Sequence, residues 1–120
     1  MFRTFAILAV ALSASLVAVG DPPAPLVTEG LPVGRWRIEF ANGVIETATV
    51  AQDGTANVTE PLRTSPGKAT MKEGSAVIAF DDDRVERWTK VGKKWVVEHW
   101  FPAAAYPESR PVLGIAKVVK

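Results

Sequence analysis

Two side chains in this sequence could share a proton or orient a ligand's polar group: Glu86 and His99. His99 is the only histidine and there is no cysteine, so thiol catalysis, a cysteine zinc site and a multi-histidine metal centre are excluded. What brings the acid and the imidazole together is Gly92-Lys93, which reads as a two-residue hairpin turn. A four-residue loop over 91–94 gives the same pairing. Either way Glu86 opposes His99, Trp88 opposes Val97, Lys90 opposes Trp95 and Arg84 opposes Phe101. Directly opposed residues of an antiparallel pair point to one face. That face therefore carries Trp88, Trp95, Val97 and Phe101 around Glu86 and His99, and its aromatic content marks it as the interior. A carboxylate and an imidazole are each costly to bury alone and tolerable together, and pairing should favour the imidazolium. In chemical terms they form a polar floor for a small ligand, with Trp36, Trp88 and Trp95 as walls. The plainer reading is a cross-strand pair that pins register. On the opposite face Val85 pairs with Trp100, and Arg87 with Glu98 reads as a solvated ion pair.

Other chemistry is thinly represented. Asp81-Asp82-Asp83 with Glu86 offers oxygens for calcium but lacks the spaced ligand loop, and a hairpin turn explains it equally well. Asn57-Val58-Thr59 matches a glycosylation acceptor. Ser65, Ser75 and Ser109 fall in expected loops without a nucleophile-elbow sequence, and His99 cannot act with Glu98 because neighbours on a strand face opposite ways. A hydrolase around His99 is a distant alternative. No catalytic residue, metal or cofactor is assigned.

The elements that must position these groups are strands. Trp36, Ile38 and Phe40 alternate with Arg35, Arg37 and Glu39, and Ala76, Ile78 and Phe80 alternate around Val77 and Ala79. Turn signals recur at Asn42-Gly43, Asp53-Gly54, Pro66-Gly67, Glu73-Gly74, Asp81-Asp82-Asp83 and Gly92-Lys93. Strands are expected near 35–40, 44–51, 55–60, 68–72, 75–80, 84–91, 94–101 and 112–119. A three-residue Gln52-Asp53-Gly54 loop aligns Ala48 and Val50 with Val58 and Ala56, with Gly54 left-handed. A three-residue Asp81–Asp83 loop sets Phe80, Ile78 and Ala76 opposite Arg84, Glu86 and Trp88. Short connections make successive strands antiparallel neighbours, and closure removes exposed edges. The fold class is thus all-β: a small up-and-down antiparallel β-barrel of about eight strands, with a curved open sheet or a sandwich as the alternative.

Gly34-Arg35-Trp36 opening the first strand, the hairpin meander, and Gly114-Ile115-Ala116 in the last strand resemble the lipocalin and avidin-like (calycin) pattern. The resemblance implies a Trp plugging one barrel end and a small molecule bound inside. The disulfides common in lipocalins are absent, and a full-size lipocalin is larger.

The remaining segments give an address and a covering loop. Met1–Thr4 is a short basic start, Phe5–Val19 is apolar, and Ala18-Val19-Gly20 sets small residues before a cut at Asp21. These are the parts of a secretory signal peptide, and the apolar run is shorter than the ~20 residues that span a bilayer. Residues 21–34 read as a Pro-rich tether and 35–120 as the barrel domain. Losing Arg3 leaves thirteen basic against thirteen acidic residues. With no basic stripe, nucleic acid is not an expected partner. Phe101–Pro111 is the longest connection, stiffened by three prolines and carrying Tyr106. It reads as a rigid cover, a lid or a protein-contact patch. The expected function is an exported (secreted or periplasmic) non-catalytic binder of a small apolar or aromatic ligand, through Trp36, Glu86, Trp88, Trp95, His99, Phe101 and Tyr106. The alternative is a protein- or envelope-interaction module using 100–111, with no membrane span after signal cleavage.

Overall fold

The computed structural model describes residues 27–120. The signal peptide expected at 1–20 and the first residues of the tether lie outside them. Eight strands form one closed antiparallel up-and-down barrel, an outline compatible with a calycin-like fold. They are β1 Gly34–Phe40, β2 Ile45–Val50, β3 Thr55–Glu60, β4 Arg63–Lys72, β5 Ser75–Phe80, β6 Val85–Val91, β7 Lys94–Trp100 and β8 Val112–Val118. Each pairs with the next, and β8 closes on β1 through the Phe40–Gly114 and Trp36–Val118 pairs. Among the described residues there is no α-helix, only one 3-10 turn at Ala103–Ala105.

Turn chemistry sets the register. Gly92 at φ 64° opens the two-residue turn between β6 and β7, as a type II′ hairpin requires, and Val91 pairs with Lys94. Glu73 and Gly74 both lie at positive φ, the type I′ solution, between β4 and β5. Gln52-Asp53-Gly54 is a three-residue loop with Gly54 at φ 91°, and Ala48 and Val50 face Val58 and Ala56. Asp81–Asp83 is likewise three residues long: the Phe80 amide donates to the Arg84 carbonyl and Asp83 takes the left-handed conformation.

One turn falls elsewhere. Pro66-Gly67, expected as a turn, lies inside the ten-residue β4, and the hairpin from β3 turns at Pro61-Leu62. Pro66 is tolerated because its carbonyl, and hence its missing N–H, points past the last β4–β5 ladder pair, Gly67–Phe80. A Cβ on Gly67 would sit 2.8 Å from the Phe80 ring and the Ala79 carbonyl, and one on Gly114 would sit 2.7 Å from the Phe40 ring. Both glycines face inward and leave room for a phenylalanine of the adjoining strand.

The inward face is one contiguous core that includes Ile38, Ala48, Val58, Ile78, Trp88 and Val97. An eight-stranded barrel is just wide enough to be filled by side chains. One end is plugged. Trp36 meets Trp88 edge to face at 6.0 Å, and Trp88 lies 6.5 Å from Trp95. Part of the expected tether joins this plug. Leu31 is buried, the Pro32 carbonyl accepts from the Trp36 indole at 2.7 Å, and Met71 donates to the Val27 carbonyl at 2.6 Å. The domain therefore takes in residues 27–34 as well as 35–120.

Candidate functional site

The other barrel end is formed where β1, β3, β5 and β7 finish and β2, β4, β6 and β8 begin, and there the core turns polar. Strand alternation points Glu46, Ser65, Arg84, Glu86 and His99 inward from β2, β4, the β5–β6 loop, β6 and β7. Glu46, Ser65, Arg84 and Glu86 are all buried. Glu46, Arg84 and His99 floor a cavity of about 320 Å³ whose walls include Phe40, Val44, Phe101 and Val112, with Asn42, Glu60 and Arg63 toward the rim; Ser65 and Glu86 are buried and do not line it.

Two networks meet on this floor. In the first, Arg84 is the hub. Its Nε donates to Asp82 at 2.8 Å, its Nη2 to Ser65 Oγ at 3.0 Å, and its Nη1 reaches Glu60 and, at 3.4 Å, Glu46 Oε2. Ser65 Oγ donates in turn to Asp82 at 2.6 Å. Burial alone would raise the Asp82 pKa, but hydrogen bonds from Arg84 and Ser65 outweigh it and hold the carboxyl below its ordinary range. Three partners likewise keep the Arg84 guanidinium charged in spite of burial.

In the second network Glu86 is central. Its Oε1 accepts from the Trp88 indole at 3.0 Å, and its Oε2 lies 2.9 Å from His99 Nδ1. The expected Glu86–His99 opposition is present, with Glu86 fully buried and the His99 side chain 17% exposed. The expected imidazolium is not. Burial lowers the His99 pKa more than Glu46 and the other carboxylates raise it, so the ring is neutral at neutral pH. The carboxyls shift the other way. Burial, reinforced by the Glu86 carboxylate, pushes Glu46 up to about 9. Burial also raises Glu86, opposed by its hydrogen bonds. Glu46 therefore carries the proton that the two acids share, as paired carboxylates do. No other donor group reaches the buried Glu46 Oε1.

The structure separates the residues expected to act together. His99 lines the cavity floor, while Glu86, bonded to it, is fully buried and does not line the cavity. Trp36, Trp88 and Trp95 fill the plugged half and do not line the cavity; the Trp88 indole N–H reaches only as far as Glu86. Phe101 does not pair with Arg84, because β7 ends at Trp100 and Pro102 cannot extend a ladder; 63% exposed, it stands at the cavity mouth. Tyr106 is outside the barrel. It packs on Trp100 at 4.9 Å, and the Trp100 indole donates to the Ser109 carbonyl at 2.7 Å. The 101–111 loop thus folds along the outer wall as a cover. Arg87 and Glu98, expected in solvent, form a two-bond pair at 2.7 and 3.1 Å beneath this cover, with Arg87 also over the Trp100 ring.

The sequence pattern does not single out Glu46, Glu60 or Arg84 as site residues, and it offers Asp82 only as a calcium oxygen and Ser65 only as a loop serine. The signal for Glu46 was present: it shares parity with Ala48 and Val50, already set inward by the Asp53-Gly54 hairpin. Ser65 was hidden by the misplaced turn.

Comparison with protein-family models, with curated proteins and with solved structures finds no match.

Proposed function

We propose that the chain is an exported, non-catalytic binding protein, calycin-like in descent as well as outline, that takes one small and largely apolar or aromatic molecule into the open barrel end. The observation that carries this reading is the asymmetry of the interior. One half is packed solid with indole rings, while the other keeps a cavity of about 320 Å³ with apolar walls and a buried polar floor. Sites for small molecules share that size range and that mix of apolar lining with a few placed polar groups. Phe40, Val44 and Val112 would hold the ligand's body. The Glu46, Arg84 and His99 floor would take one polar group, with the Arg84 guanidinium a donor and neutral His99 a donor or acceptor. The position of Trp36 at the plugged end supports the calycin kinship. Tyr106 packs on Trp100 outside the barrel and has no part in this reading.

The test is a titration with N-phenyl-1-naphthylamine, an apolar aromatic fluorophore. Saturable one-to-one binding is expected, abolished by Val112→Trp, which fills the cavity, and unaffected by Tyr106→Ala. Equal binding by wild type and Val112→Trp, or no saturable binding, would overturn the reading.

A further inference from the structure

We infer that Glu46, Glu86 and His99 form a binding site for one divalent first-row transition-metal ion at the cavity floor. One donor atom from each of the three lies within 4.8 Å of the others, and the three side chains come from three strands of a closed barrel. A nitrogen and oxygen donor set of this kind suits zinc, manganese or iron rather than a soft ion.

Three observations go beyond the clustering. The first is Glu46 Oε1, an acceptor that no protein donor reaches, on a residue 1% exposed that lines the cavity. A buried acceptor without a partner is costly, and such groups are rare in folded proteins. The second is that each carboxylate is already oriented through its other oxygen. Arg84 holds Glu46 Oε2 and the Trp88 indole holds Glu86 Oε1. This is the outer-shell arrangement that aims ligands at a metal. The oxygens left over, Glu46 Oε1 and Glu86 Oε2, join His99 Nδ1 as donors. The Oε2–Nδ1 distance of 2.9 Å is close to the separation of about 3.0–3.4 Å between adjacent donors around an ion with bonds of about 2.1 Å. The third is charge balance. Four carboxylates gather here, Glu46, Glu60, Asp82 and Glu86, against the guanidinium groups of Arg84 and Arg63. Once Glu46 yields its proton to an incoming ion, the acidic charges exceed the two guanidinium charges by two, and one divalent ion matches them. The ion would take the place of the proton between Glu86 and His99, and its remaining coordination positions would face the cavity. The inference does not depend on an organic ligand.

The test uses the chelator-treated full chain titrated with Co²⁺ and then Zn²⁺. The expected result is one Co²⁺ per chain with a visible d–d absorption band, displaced by Zn²⁺, and a zinc-dependent shift of the His99 imidazole nitrogen resonances. Glu46→Gln keeps the shape of the side chain and should weaken Co²⁺ binding by about 100-fold or more, as should His99→Gln. Absence of the band and of the imidazole shift in wild type would overturn the inference, as would affinities in both variants equal to wild type. Naphthylamine binding by the metal-free protein is read separately, so failure of the metal site leaves that result standing, and the reverse.

Discussion

At the residue scale the molecule turns on acids buried on one side of a small barrel. Arg84 is the group whose loss should be felt most. Replacing it with Met leaves Asp82, Glu60 and Glu46 facing one another without their shared cation. Removing one partner of a buried ion network costs on the order of 3–5 kcal/mol, and urea unfolding of Arg84→Met at neutral pH should show a loss of that size. Glu46 makes a pH-dependent contribution whose sign follows from its raised pKa, from 4.5 to about 9. The native state binds a proton that the unfolded chain has released across that window, so the contribution is complete below 4.5 and is lost as pH rises through about 9. His99, lowered from 6.5, works oppositely and only below that value. Above it the raised pair of Glu46 and Glu86 sets the sign: metal-free wild type should lose stability from neutral to alkaline pH, and Glu46→Gln should flatten the decline. Urea midpoints across that range check it, and a slope identical in the two proteins would contradict the protonated state assigned to Glu46.

At the scale of elements, close packing across the sheet accounts for two glycines that turn chemistry does not. Gly114→Ala should destabilise by about 1–3 kcal/mol, since the new methyl meets Phe40 and Ile38 inside a filled layer. Gly43→Ala meets no atom within 4 Å, and any cost there is the strain of φ 90° alone. Thermal unfolding of the two variants separates crowding from backbone strain. The same elements show what the sequence disclosed. Hairpin parity at Gly92-Lys93, Asp53-Gly54 and Asp81–Asp83 was legible because a two- or three-residue loop fixes which residues oppose, and every later inside/outside assignment follows from it. Pro66-Gly67 misled because that dipeptide ordinarily marks a turn. Only the position of the last β4–β5 pair, a tertiary fact, makes it acceptable within a strand. Phe101 was carried inward by parity one step beyond the real end of β7.

At the scale of the whole molecule, the barrel is polarised along its axis. Aromatic weight at one end supplies stability and the acid-rich end holds the proposed site. Trp88→Ala should therefore cost about 3–5 kcal/mol in unfolding free energy, while Phe101→Ala at the exposed mouth should cost well under about 1 kcal/mol. The polarity could not be read from the sequence, because the order of aromatic and acidic residues along each strand becomes an axis only once the barrel is closed and staggered. The eight-stranded count and the antiparallel order could be read, since they follow from strand number and loop length.

The central claim is that the acid-floored end, and not the tryptophan-plugged end, receives a ligand. The most direct measurement is a two-dimensional ¹H–¹⁵N NMR titration of the full chain with N-phenyl-1-naphthylamine. The account predicts shifts concentrated at Val44, Glu46, His99 and Val112, with the amides around Gly54, Gly74 and Gly92 unmoved. Shifts centred on the plugged end, or a spectrum unchanged at saturating probe, would contradict it.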